Sequence, residues 1–406
     1  MLFCLQPTAE TLILQRFFTG LHGIKLIMHT RYTRLLFAAL ALFGFASCNK
    51  DYSGDDPIII SPTASIYISS QNGFVYALEP KTGAKKWEFF AGAPVTATPY
   101  LLNAKLFVCS EDGYLHKLDP KTGVEIKRYN ITAGGGSKLV SSPVGSGNYL
   151  YFGAGDNNLY CYDVVFDTLV WKFPTSGPVR SSPTIADTNV LFGCDDGRVY
   201  SVSKQYGNLT WSFSPAGSTI FYSSPTVRGT HAYIGAEDGN MYSLRLSDGS
   251  VRWSYQTGGP IQSSPISYGG NIIFGSYDKK LYCIDSGSGL PRWTATTGDR
   301  ITSSPYASAQ VIYIGAYDYY LYAYHIITGD LKWKIRTNAL IKSSPIVSND
   351  GTLYYASYDK FLYCADTAQG VTKWKQNING VIETSPVLAD SFSKGLYPSI
   401  SGGSLY

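Results

Sequence analysis

The sequence is poor in the residues that most chemistry needs. Of 406 residues only 15% are charged, and there are 3 Met and 5 His. No Cys-Cys pair occurs, and no C-x-x-C-H haem motif. A G-x-S-x-G nucleophile elbow is also missing. His116, His231 and His325, the histidines beyond the leader, stand too far apart for a metal-ligand spacing. No Trp-Asp dipeptide is present, which argues against a WD40 repeat. The strongest apolar run, Leu35 to Phe45, is 11 residues long, and a bilayer-crossing helix needs about 20. A formal charge of +4 is too small to argue for a nucleic-acid partner. What the chain has in abundance is 33 Tyr, 41 Gly and 44% apolar residues, which excludes disorder and suits pleated strands joined by tight turns.

The short apolar run follows Met28, His29, Arg31 and Arg34 and precedes small residues, the layout of a signal peptide. Phe45-Ala46-Ser47-Cys48 resembles a bacterial lipobox, with Phe45 in place of the usual Leu. The resemblance implies a lipidated Cys48, and Asn49 after it resembles the outer-membrane sorting pattern of Gram-negative bacteria; an ordinary signal peptide with Cys48 incidental is the alternative. Residues 1–27 then read as a misassigned upstream extension, 28–47 as the signal peptide, 48–62 as lipidated cysteine and tether, and 63–406 as the folded body. The leader holds Arg16, Lys25, Arg31 and Arg34 against Glu10, leaving 29 basic and 28 acidic residues, a net charge of +1.

The body is a repeat. A Ser/Thr-Pro step recurs at Pro99, Pro143, Pro183, Pro225, Pro265, Pro305, Pro345 and Pro386, with gaps of 40 to 44 residues. The seven tryptophans, Trp87, Trp171, Trp211, Trp253, Trp293, Trp333 and Trp374, share that lattice, and Lys127 fills the one slot without a Trp. The unit from Ser303 reads as four strands. Strand A follows Pro305, strand B is Val311–Gly315, strand C is Leu321–Tyr324, and strand D, around Trp333, follows the Thr328-Gly329 turn. Four strands in roughly 40 residues describe a propeller blade. The fold expected is therefore an all-β, eight-bladed β-propeller of four-stranded antiparallel blades. A strand near Pro386 should close the ring against residues 66–90, leaving Gly395 to Tyr406 as a surplus start of a ninth unit.

The stretch from strand C to the Trp reads CIDSGSGLPRW from Cys283 and CADTAQGVTKW from Cys364. It resembles the tryptophan-docking motif A-x-D-x-x-x-G-x-x-x-W of the PQQ-like, or quinoprotein-like, β-propeller repeat family. Each tryptophan is expected to dock on the neighbouring blade. Gly83, Gly123, Gly207, Gly249, Gly289, Gly329 and Gly370, with Asp167 in the third unit, should hold positive φ in the C–D turn. Strand B glycines such as Gly153 and Gly315 are expected to admit the Trp. Cys161, Cys283 and Cys364 occupy a strand C slot that elsewhere holds Ala or Ser, so they read as small buried residues. Quinoprotein dehydrogenases of this fold carry an adjacent Cys-Cys ring against their cofactor and are much longer. The chain is accordingly expected to bind no cofactor and to be no enzyme, a PQQ-dependent dehydrogenase being the remote alternative. The Gly-rich segments AGGGS (133–137) and GAGDNN (153–158) lack a following helix pattern and read as hairpins rather than phosphate cradles.

Positions that depart from the repeat are where a site is sought. The residue before each Ser/Thr-Ser/Thr-Pro varies: Thr96, Val140, Arg180, Tyr222, Gln262, Thr302, Lys342 and Glu383 in the eight units, with Ala97 in the first. The last three B–C hairpins carry Tyr277-Asp278, Tyr317-Asp318-Tyr319 and Tyr358-Asp359, where other units have acidic residues before Gly such as Asp112, Asp196 and Asp238. Both sets should lie on one face, with an aromatic rim over blades 6–8. The chain as a whole resembles the propeller lipoprotein of the outer-membrane β-barrel assembly machine. That resemblance implies an envelope scaffold held to the membrane by its lipid anchor and binding a protein partner. A surface lipoprotein that binds a glycan or peptide through the Tyr-rich face is the alternative.

Overall fold

The computed structural model describes residues 64–391, apart from 133–136 and 218, together with the strand Lys394–Leu396. The leader, Cys48, the tether, most of AGGGS and residues 397–406 lie outside the described residues. No helix occurs among the described residues, so none is long and apolar enough to cross a membrane.

Eight antiparallel sheets follow the eight repeats. Blade 7 is representative: strand A is Tyr306–Ser308, B is Val311–Gly315, C is Tyr320–His325 and D is Leu331–Arg336, paired in that order. Strands B and C are buried along almost their whole length, while D alternates exposed and half-buried residues. Strand A lies innermost and D outermost. B–C hairpins and D–A connections therefore form one face, termed the hairpin face, and A–B and C–D turns form the opposite turn face. In every blade the C–D ladder carries a bulge just after the strand C residue that faces the Trp slot.

Ring closure is as the repeat count suggested. Val387–Ser391 supplies strand A of blade 1, its Leu388 pairing with Ile66 of the first B strand, Ser65–Ser69. The surplus start of a ninth unit also has a place. Lys394–Leu396 turns back and pairs with the inner edge of that closing strand, making blade 1 five-stranded.

A second device seals the ring. The backbone N–H of each second Ser/Thr donates to the hydroxyl of its counterpart in the next blade, at 2.9 to 3.2 Å, from Thr98 to Ser142 and onward until Ser385 donates back to Thr98. This belt of eight bonds satisfies N–H groups that no strand partner reaches.

The tryptophans dock on the neighbouring blade, but not where expected. Each indole N–H donates at 2.7 to 3.3 Å to a carbonyl of the next blade's C–D turn, ending with Trp374 on Pro80 across the closure. The glycine that makes room is the one in that turn. A Cβ on Gly329 (φ 76°) would stand 2.7 Å from the Trp293 ring. Strand B glycines serve another neighbour: a Cβ on Gly315 would lie 2.2 Å from Ile341, on the next blade's D–A connection. The expectation that they admit the Trp is thus corrected. The blades splay outward from the axis, so the strand B glycine sits where backbones converge, well inside the outer indole. The strand C slot of Ala77, Cys161, Ser201, Ser243, Cys283, Ala323 and Cys364 lies directly across the ladder from the Trp, which is why it must be small.

Candidate functional site: the channel mouth

The residues before the Ser/Thr-Pro steps, scattered over 287 positions from Thr96 to Glu383 in sequence, meet in space. Thr96, Val140, Arg180, Tyr222, Gln262, Thr302, Lys342 and Glu383 all line one cavity of about 620 Å³ at the hairpin-face end of the channel. Three further residues complete its wall: Gln71, Glu111 and Lys138. In every blade the first hairpin residue hydrogen-bonds through its N–H to the adjacent D–A connection, as Tyr277 does to Pro260 and Tyr317 to Arg300. That bond holds the two varied positions side by side.

The charges around the mouth are paired. Lys138 meets Glu111 at 2.7 Å, and Thr96 donates to the same carboxylate. Arg180 bridges Asp195 at 3.2 Å and the Tyr222 hydroxyl at 3.0 Å. Gln262 donates to Glu237 at 2.8 Å. Glu383 accepts from Lys342 at 2.7 Å and also from Gln71 and the Tyr358 hydroxyl. Burial opposes ionisation of Glu383, yet these three donors outweigh it and hold its carboxyl below the usual glutamate range. Asp195 has less support: burial pushes its carboxyl upward against the pull of Arg180, and one of its oxygens has no partner among the described residues.

Blades 6 and 7 add an aromatic clamp. The Arg300 guanidinium lies over the Tyr277 ring at 5.1 Å and the Tyr317 ring at 4.3 Å. Tyr319 occupies the third hairpin position at φ 74°, an unusual conformation for a bulky side chain, and is exposed. The aspartates beside these tyrosines are turned inward. Asp278 and Asp359 each accept from the Tyr hydroxyl four residues on, at 2.5 Å, and from a backbone N–H of the preceding connection, and Asp318 does the same through Tyr322 and Gly298. Asp196 and Asp238 bond to Tyr200 and Tyr242 in the same way. These carboxylates brace hairpins, and the tyrosines carry the surface. Gln71, Glu111, Lys138 and Arg300 were not singled out by the sequence. The signal was their position one or two places from a varied residue, or at the head of a B–C hairpin.

Two other constellations bear on chemistry. Ser110 Oγ lies 3.1 Å from His116 Nε2, and His116 Nδ1 lies 2.7 Å from Glu125, the order of a nucleophile, base and acid. Ser110 is 0% exposed and its hydroxyl also donates to Asp112, so no substrate carbonyl reaches it and the chain is structural. Among the described residues no group of His, Cys, Asp and Glu is placed to hold a metal ion. A flat quinone cofactor needs an apolar stacking surface. The mouth offers none from Trp, because all seven indoles are spent on the outer blade interfaces. Cys109, Cys161, Cys194, Cys283 and Cys364 are buried and free. The residues present do not fit PQQ.

Fold and site together define a PQQ-like eight-bladed propeller with a polar, charge-paired channel mouth. The sequence model described as outer membrane protein assembly factor BamB matches residues 54–130 and 111–335, more than half of the chain, and the chain belongs to that family. Among solved structures it is similar to BamB from Moraxella catarrhalis, at 14% identity and a TM-score of 0.60 over 76% of this chain and 95% of that one. The computationally designed Ika8 protein is similar at 15% identity and a TM-score of 0.63, covering 77% of this chain and 93% of that one. The quinohemoprotein alcohol dehydrogenase from Comamonas testosteroni is similar at 14% identity and a TM-score of 0.61, covering 76% and 72%. Likeness at such identities shows the fold. No curated protein matches the chain.

Proposed function

We propose that the protein is a non-catalytic scaffold of the cell envelope, anchored to the outer membrane through a lipidated Cys48, which engages a protein partner with its hairpin face during outer-membrane protein assembly. One observation carries this reading: the side chains that break the repeat converge on the channel mouth, and their charges are paired with one another rather than set out for proton transfer. Paired, partly exposed charges suit orientation and specificity at a protein interface. Membership of the BamB family supports the setting.

The test is cross-linking of the acylated protein in envelopes from a photoreactive residue at position 317. Capture of a barrel-assembly subunit, lost when the Lys342–Glu383 pair is broken by Lys342→Glu, is the expected result. Dye-linked oxidation of alcohols or glucose after addition of PQQ and Ca²⁺ would overturn the non-enzyme reading. A second reading, a glycan- or peptide-binding surface lipoprotein, is favoured by the Arg300–Tyr277–Tyr317 clamp, since sugar rings and peptide planes stack on such rings. Binding on a glycan array that disappears in Tyr317→Ala would select it.

A further inference from the structure

We propose that the turn face rests on the bilayer through the outer rim of blades 2–4, so that the hairpin face and its channel mouth point away from the lipid. This rests on the anchoring reading above and gives the anchored scaffold an orientation.

The C–D turn tips vary around the ring in an ordered way. Blades 1 and 2 carry exposed Lys81 and Lys121 at the tip, blade 3 carries Val165 and Phe166, and blade 4 carries Tyr206. Phe166 is 78% exposed, Tyr206 70% and Val165 54%, which makes Phe166 the most exposed large hydrophobic residue described. The equivalent tips of blades 5 and 6 are Ser247-Asp248 and Gly287-Ser288, that of blade 8 is Ala368-Gln369, and that of blade 7 is Ile327-Thr328, where Ile327, 68% exposed, is a single apolar tip residue apart from the cluster on blades 3 and 4. Strand D of blades 2–4 adds exposed Ile126, Leu169, Val170 and Leu209, against Val251, Leu331 and Val371 at or beside strand D of blades 5, 7 and 8. At the position before the Trp, where Ile126 and Val170 stand, the remaining blades have Lys86, Thr210, Arg252, Arg292, Lys332 and Lys373.

Exposed apolar residues concentrated on neighbouring blades in this way cost solubility unless something covers them. Three observations select a lipid surface. First, the most exposed of these groups, Phe166, Tyr206 and Val165, sit on turn tips, which suit shallow insertion into a headgroup layer. Second, lysines and aromatics side by side are the interfacial pattern, with the ammonium at the phosphates and the ring at the acyl boundary. Third, the chain reaches the propeller on this same face. Strand B runs from the turn face to the hairpin face, and Ser65 is its first residue in blade 1.

The test places a fluorophore on the acylated full-length protein at Phe166→Cys or Tyr206→Cys, with Tyr319→Cys on the hairpin face as the control. Val165→Cys is the second site should either fold poorly. The five native thiols of the propeller are buried and do not compete for label. Vesicles of phosphatidylethanolamine and phosphatidylglycerol carry a lipid-attached quencher. Quenching at 166 and 206 at least about twofold stronger than at 319, with the opposite order for aqueous iodide, is expected for shallow insertion. Equal iodide access at all three sites on protein that floats with the vesicles would overturn the rim contact and leave the anchor standing. Protein that fails to float would remove both. A label at 166 shielded without vesicles, in step with a dimer by sedimentation, would overturn the proposal in favour of a second copy.

Discussion

Lys127 and Asp167 form an ion pair at 3.3 Å at the one blade interface that has no tryptophan. Seven interfaces join a Trp to a C–D turn glycine of the next blade; in the eighth, Lys127 stands in the Trp slot and Asp167 (φ 55°) in the Gly slot. A third position changes with them. Lys117 occupies the strand C slot that is Ala, Ser or Cys elsewhere, faces Lys127 across the ladder, and meets Asp167 at 2.9 Å. A disc of indole, the small residue beneath it and the glycine beyond it have been exchanged for two ammonium groups sharing a carboxylate, with the Tyr129 hydroxyl as a further donor.

The exchange works only as a set. Asp167→Gly strands two lysines, one of them largely buried, and is expected to cost about 3 kcal/mol by analogy with breaking a buried pair. The triple change Lys127→Trp, Lys117→Ala and Asp167→Gly should recover most of that loss. Denaturant unfolding of the single and triple variants checks it; a triple variant no more stable than Asp167→Gly would refute the exchange.

The ordinary interface responds to either partner. Trp293→Ala is expected to lose about 3 kcal/mol, the low end for a large aromatic because the ring is half-buried. Trp253→Ala should behave alike. Gly329→Ala meets the same ring from the other side at 2.7 Å and requires positive φ, so a loss of about 1–3 kcal/mol is expected. Thermal melts suffice, and an unchanged midpoint in Trp293→Ala would contradict the docking role.

The Ser/Thr belt makes a separate prediction. Ser264→Ala leaves the Ser224 N–H without its acceptor and should cost about 1–2 kcal/mol, whereas Ser264→Thr keeps the oxygen and should cost less. Amide hydrogen exchange at Ser224 should accelerate in the alanine variant alone.

The propeller's cysteines should be inert. Burial pushes the Cys161, Cys194, Cys283 and Cys364 thiols up to about 12, and Cys109 higher still. A neutral alkylating reagent at pH 7.5 is expected to leave all five unmodified until denaturant is added, as counted by mass spectrometry.

Acid sensitivity should follow Glu383. Its folded value lies below that of an unfolded glutamate, about 4.3. The group therefore contributes stability that is fully present above the unfolded value and is lost as pH falls through the lower folded one. Glu383→Gln should flatten the stability–pH curve below about pH 4.5 and leave its slope above pH 6 unchanged.

The sequence by itself determined whatever is local or repeated. Spacing of Ser/Thr-Pro steps and of Trp gave eight units. Alternation and β-branched runs gave the four strands of each, and the turn glycine announced its positive φ because few other residues adopt it. The odd slot at Lys127 was visible as a break in the lattice. Only the tertiary structure decided which blade answers which residue. Lys117 and Asp167 are 10 and 40 positions from Lys127 and belong together because the ring turns each strand D toward the next blade's C–D turn. The same rotation sends strand B glycines to Ile261, Ile301 and Ile341 instead of to tryptophan. It also closes the Ser/Thr belt from Ser385 to Thr98 and gathers eight scattered residues at one mouth. Repetition fixes what each unit is. The angle between units, set by packing across interfaces that no single unit contains, fixes what the units make together.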